Sequence, residues 1–156
     1  MLVVARLLDK GKVKGTTADF HPERDHFTIH PEDGTLPVRL SVADLKALYF
    51  VRSLGGNPDR SDHQEFRRRG GVRSRVWLEF KDGERMAAWP VAPTLGRIGF
   101  YVVPTDAESN VEKAWVYRGA LKQVLEGKEA EVAARRNAVR REHDSAASWP
   151  RVVQLH

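Results

Sequence analysis

Cysteine is missing from the 156 residues. Disulfides, zinc–thiolate sites, iron–sulfur clusters and cysteine nucleophiles go with it. No apolar run approaches the roughly 20 residues that a membrane-spanning helix needs. The opening Met1-Leu2-Val3-Val4-Ala5-Arg6 has no basic segment before its apolar run, and that run is too short for a signal peptide. A soluble, cytoplasmic chain is the expectation. Catalytic patterns are also missing: no Ser in a nucleophile elbow, no glycine-rich phosphate loop ahead of a helix, no carboxylate pair at acid–base spacing. The expectation is a non-enzyme that needs neither cofactor nor metal.

What the chain does hold suffices for a core. Hydrophobic residues make up 41%, and a chain of this length buries roughly 70% of its unfolded surface. The net charge of +5 is unevenly placed. Arg67, Arg68, Arg69, Arg73 and Arg75 form one cluster; Arg135, Arg136, Arg140 and Arg141 form another. Such clusters suit phosphates or acidic partners, while solvated linker and helix surface is the plainer reading.

The chain also aligns with itself. Val4 to Gly11 matches Val76 to Gly83, each an alternating strand running into a polar Gly turn. Phe27-Thr28-Ile29-His30-Pro31 matches Phe100-Tyr101-Val102-Val103-Pro104, and Asp33 matches Asp106. Val38-Arg39-Leu40 matches Ala114-Trp115-Val116, and Leu45-Lys46 matches Leu121-Lys122. The pattern predicts two similar β units. In the first, strands are expected over 2–8, 12–20, 27–30, 37–42 and 47–52, with a corner at 43–46. Gly11 and Gly83 are expected to supply the positive φ of the hairpin turns. The expected boundaries are 1–54 for the first barrel, 55–73 for an Arg/Gly-rich connector or covering loop, 74–126 for the second barrel and 127–156 for a helix and tail. Val132 and Val139, seven residues apart, mark the expected apolar stripe of a helix over 128–143.

The segments Leu8-Asp9-Lys10-Gly11 with Gly15, Asp19-Phe20-His21-Pro22 to Phe27-Thr28-Ile29-His30-Pro31, and Asp44-Leu45-Lys46-Ala47-Leu48-Tyr49-Phe50 carry a resemblance. It is to uncharacterised bacterial proteins built from tandem Sm-like small β-barrels, often found beside signalling domains. It covers residues 2–54 and, less closely, 74–126. The fold it implies is mainly β: two tandem five-stranded antiparallel Sm-like small barrels plus a C-terminal α-helix. Arg118-Gly119 is similar to the Arg-Gly pair with which Sm proteins bind a nucleobase, whereas the first copy has Ala43-Asp44 there. Neither copy carries the whole nucleotide-binding set.

Several side-chain groups bear on function. His26 and His30 share a strand face near His21, as a metal site or as exposed histidines. Asp9, Asp19, Asp33 and Asp82 sit at turns, where Asp caps backbone N–H groups. Arg69-x-x-x-Arg73 is similar to the arginine motif of cyclic-dinucleotide-binding barrels, although the motif that follows it in that family is missing. Trp77, Trp89 and Trp115 cluster in the second copy; two of them stand opposite Ala5 and Arg39, suggesting an interface or core packing.

The chain therefore reads as a non-catalytic interaction or adaptor module in bacterial regulation, with an unidentified protein partner and Trp77, Trp115 and Trp149 as contacts. RNA binding through Arg67, Arg68, Arg69, Arg73, Arg75 and Arg118 is the alternative, followed by cyclic-dinucleotide sensing. Assembly into a homo-oligomer stays open.

Overall fold

The computed structural model of the protein describes residues 1–67 and 74–154, the side chains of 145–154 excepted. It is mainly β with one C-terminal helix. The strands are β1 (Leu2–Leu7), β2 (Lys12–Thr16), β3 (His26–Ile29), β4 (Val38–Ser41), β5 (Leu45–Val51), β6 (Val76–Phe80), β7 (Arg85–Pro90), β8 (Gly99–Pro104), β9 (Val111–Tyr117) and β10 (Leu121–Glu126), followed by α1 (Lys128–Gln154). Short 3-10 turns, Val42–Asp44 and Arg118–Ala120, precede the fifth strand of each half.

Eight strands form one antiparallel sheet in the order β10-β6-β7-β8-β9-β5-β1-β2, and β3-β4 forms a hairpin. A single bridge, Thr16↔His30, ties that hairpin to β2. Each half thus follows the order fifth, first, second, third, fourth. The strands form antiparallel sheets and not two closed barrels, and the halves join edge to edge: β5 of the first half pairs with β9 of the second, from Ala47↔Val116 to Val51↔Val111.

β5 is buried along its whole length because it serves two cores. Ala47, Tyr49 and Val51 face the second-half core with Leu78, Phe80, Phe100, Val102 and Val116. Leu45, Leu48 and Phe50 face the first-half core with Val3, Phe27, Ile29 and Trp115. The step from Leu45 to Leu48 is three residues because Lys46 is an extra residue in the ladder: Arg6 pairs with Ala47, Leu7 with Leu45. β10 repeats the bulge at Lys122, with Phe80 opposite Leu121 and Glu79 opposite Gln123. A bulge inserts one unpaired residue and re-aims its side chain. Buried Lys46 consequently reaches Asp82 at 2.6 Å and Glu84 at 2.7 Å, across from the other half, and Tyr49 Oη donates to Glu84 at 3.2 Å.

The second hairpin turn holds Gly83 at positive φ, as expected, whereas the first departs from expectation by one residue. Asp9 Oδ1 accepts from Gly11 N, and Asp82 Oδ1 accepts from Glu84 N. These matching turns set Asp9 against Asp82, so the left-handed position falls on Lys10 (φ 73°) in one copy and on Gly83 (φ 94°) in the other. β2 stops at Thr16 rather than at residue 20. Beyond it, Thr17 Oγ1 donates to the Thr28 carbonyl, and Asp19 Oδ1 accepts from Thr28 N. Side-chain bonds there replace the ladder.

The stripe on α1 is also corrected. Ala130 and Ala134 are the buried ones among its described side chains, packed with Trp77 and Ala87, while Val132 and Val139 are exposed. Small side chains let the helix approach the sheet closely, which valines would prevent. Residues 55–67 are a covering loop. Arg60 Nη2 donates to buried Asp106 at 2.6 Å, Ser109 Oγ to Asp62 at 2.5 Å, and Ala87 N to Gln64 Oε1 at 2.8 Å. No helix among the described residues is long and apolar enough to cross a membrane.

The Lys46→Ala variant should lose about 2–4 kcal/mol in urea unfolding. A buried cation leaves two carboxylates uncompensated, discounted because these are about a third exposed. Stability should also fall in acid. The Lys46 ammonium bonded to Asp82 holds that carboxyl below its ordinary 3.8. For Asp106, burial pushes upward, but the N–H donors of Glu108 and His63, with the Arg60 charge, pull it below that value. Both groups bind protons less tightly folded than unfolded. Their stabilisation is full above about pH 4 and fades as pH falls through the lower folded values, as thermal unfolding at pH 2 to 6 would record.

Candidate docking cleft

β7 ends at Pro90, and the chain crosses to β8 through Val91-Ala92-Pro93-Thr94-Leu95-Gly96-Arg97-Ile98. Proline and glycine keep this segment out of a strand. Backbone bonds pin its ends, Val91 N to the Tyr101 carbonyl at 3.1 Å and Arg118 N to the Ile98 carbonyl at 2.8 Å. Arg118 Nε also donates to the Gly96 carbonyl at 2.7 Å, and its guanidinium lies 5.4 Å over the Phe100 ring. Beneath the loop, Gly99 lies against the Trp115 indole; a β-carbon there would overlap the ring.

The loop and the Pro22-Glu23 turn of the first half enclose a cleft of about 430 Å³. Val91, Ile98, Pro22, Tyr101 and Trp115 make it largely apolar. Trp115 is 1% exposed and belongs to the floor, whereas Val91 and Ile98 are 60% and 63% exposed. Burial pushes the Tyr101 hydroxyl's pKa up, so it stays protonated. Glu23 and Arg97, both exposed, are the charges among the lining residues. A surface of this kind binds by burying aliphatic groups; fully covering one such side chain contributes about 1.5–3 kcal/mol.

The residues singled out in the sequence scatter. Trp115 and Arg118 meet at this cleft, one as its floor and the other as the brace of its loop. Trp77 is 3% exposed beneath α1. Direct partner contact is therefore corrected for Trp77, which seats the helix; Trp115 fills the first-half core, edge-on to Phe20 at 5.7 Å, and meets the cleft only as its buried floor. Arg75 lies 3.1 Å from Glu131 of α1, an ionic contact whose Nε proton is not aimed at the carboxylate. Its guanidinium is 6.0 Å over Trp89. Arg75 and Arg118 thus have structural work instead of standing free for phosphate. Arg67 is exposed, 3.7 Å from Glu65, at a separate groove of about 560 Å³ beside Trp89. Arg68 lies outside the described residues, as do Arg69 and Arg73, on which the cyclic-dinucleotide reading rests, and the Trp149 side chain. His21 Nδ1 accepts from Glu23 N at 3.1 Å. No three His, Asp or Glu side chains gather as a metal site among the described residues.

Sequence reasoning passed over Val91 and Ile98. Their signal is two aliphatic residues flanking a Pro/Gly loop, where alternation gives them no inward face. Gly99→Ala should cost about 1–3 kcal/mol by overpacking, and the Trp115 emission should shift as the indole is displaced; unchanged stability and emission would refute this close contact.

No curated protein and no solved structure matches the chain. Residues 2–127, which hold all ten strands and stop short of α1, match DUF6982, described as a family of unknown function, and the chain belongs to that family.

Proposed function

We propose that this protein is a non-catalytic interaction module of bacterial regulation, acting in the cytoplasm, whose partner docks an apolar segment in the cleft between Pro22 and the 91–98 loop. The observation that carries this reading is the pair Val91 and Ile98. Both are more than half exposed over a floor of buried aromatics, on a loop held at both ends by backbone bonds. Exposed apolar side chains grouped around a preformed recess mark interaction sites. The segment that fits carries two aliphatic side chains flanked by opposite charges, a cation toward Glu23 and an anion toward Arg97. The repeated strand order, with a 3-10 turn before each fifth strand, supports reading each half as an Sm-like unit whose fourth and fifth strands serve as joining edges.

Peptides selected from a random displayed library against the full chain test this. They should be rich in paired aliphatic residues and bind at micromolar affinity. The double variant Val91→Asp, Ile98→Asp should bind them at least tenfold more weakly at an unchanged melting temperature, whereas Val132→Asp on α1 should bind as the natural chain does. Selected peptides without aliphatic pairs, or equal binding by the cleft variant, would contradict the reading.

A further inference from the structure

A second surface stands apart from this cleft. On the β1–β2 hairpin, Arg6 pairs in register with Lys12, and Val4 with Lys14. Side chains directly opposite on neighbouring strands share a face, and like charges placed so are destabilising. Lys10 follows at the turn. Arg6, Lys10 and Lys12 are exposed and form no ion pair among the described residues. Lys14 Nζ spends one of its three protons on the Leu54 carbonyl, at 2.8 Å. Three carboxylates also line the recesses beside these cations and are already engaged: Asp82 and Glu84 by Lys46, and Asp62 by the Ser109 hydroxyl and Arg60.

These cations line a channel between the hairpins of the two halves. It consists of recesses of about 330 and 310 Å³ that share Arg6 and Glu84. Val4, Val51, Leu54 and Met86 form an apolar stretch beside the cations. Lys12 and Lys14, two residues apart on one strand, project about 6.7 Å apart, the scale of successive phosphates along an extended strand.

We infer that this channel binds the phosphodiester backbone of a single-stranded nucleic acid. The proposal does not rest on the docking cleft. A cationic wall beside an apolar stretch suits a polymer with charge along one edge and flat apolar rings along the other. An acidic peptide carries carboxylates on both edges, and a bilayer presents a plane that cannot enter a recess between two hairpins. Arg6, Lys12 and Lys14 contact phosphates, and the in-register repulsion of Arg6 and Lys12 is relieved by the bound anion.

The test is fluorescence anisotropy of a labelled oligouridylate twelve-mer with the full chain, at several salt concentrations. In parallel arms, phosphatidylglycerol vesicles and an oligoglutamate of equal length take its place. The triple variant Arg6→Ala, Lys12→Ala, Lys14→Ala should bind the oligonucleotide at least tenfold more weakly. The slope of log affinity against log salt should shrink by about two, at roughly 0.7 per phosphate contact on a single strand. The control Arg39→Ala, Lys122→Ala, Lys128→Ala, which removes equal charge from other exposed positions, should keep most of the affinity. Melting curves establish that both variants fold. The inference is overturned if the natural chain does not bind the oligonucleotide, if the control loses as much affinity as the channel variant, or if vesicles or oligoglutamate bind more tightly than RNA.

Discussion

The structure depends on one antiparallel joint, β5 against β9. Without it each half would leave a fifth or a fourth strand with open hydrogen-bonding groups, and an open edge is a liability. Sharing β5 closes that edge and places one pleated strand between two cores, so each residue from Leu45 to Val51 is buried. The Lys46 bulge follows from that position. A cation at a regular step would enter a core; the extra residue turns it to the Asp82 and Glu84 carboxylates of the opposite half. One local irregularity thereby converts a buried charge, otherwise costly, into a tie between the repeats.

The joint is made once. The bulge recurs at Lys122, but that lysine is exposed, and no other half lies against it. Of its would-be partners, Asp9 keeps the place of Asp82, but Gly11 stands where the second copy has Glu84; exposed Arg39 also stands where the joint has buried Trp115. The two copies therefore share a plan while dividing labour. The second supplies the indole and carboxylates that fasten the joint, and the first supplies the cationic hairpin. Both candidate surfaces arise where the copies meet: the apolar cleft beside Trp115, and the basic channel above Lys46. Neither could be assembled from one copy alone.

Much of this was legible in the sequence. The alternation of β1 and the turn residues at Asp9 and Asp82 placed the strands, and the self-alignment paired Lys46 with Lys122 and Arg39 with Trp115. Two small β units could be expected to meet edge to edge, but which strands join was not legible, because strand pairing between distant segments leaves no local pattern; β5 reads as an apolar run whether one core or two lie against it. The helix face was misread because Ala130 and Ala134 carry weaker hydropathy than Val132 and Val139, although close approach to Trp77 favours the smaller side chains. Arg75 looked like a phosphate ligand by its place in a basic cluster, and Arg118 like a nucleobase contact by the similarity of Arg118-Gly119 to the Sm Arg-Gly pair. Their partners, Glu131 and the Gly96 carbonyl, are brought to them only by tertiary folding.

The central claim is that the two halves are one cooperative body joined through β5. Native-state hydrogen exchange across a urea series measures it directly, since each amide reports the free energy of the opening that exposes it. The account predicts that core amides of β1 and β5 in the first half, and of β6 and β9 in the second, converge on one common unfolding free energy. Two separate plateaus, with one half opening while the other stays protected, would contradict it.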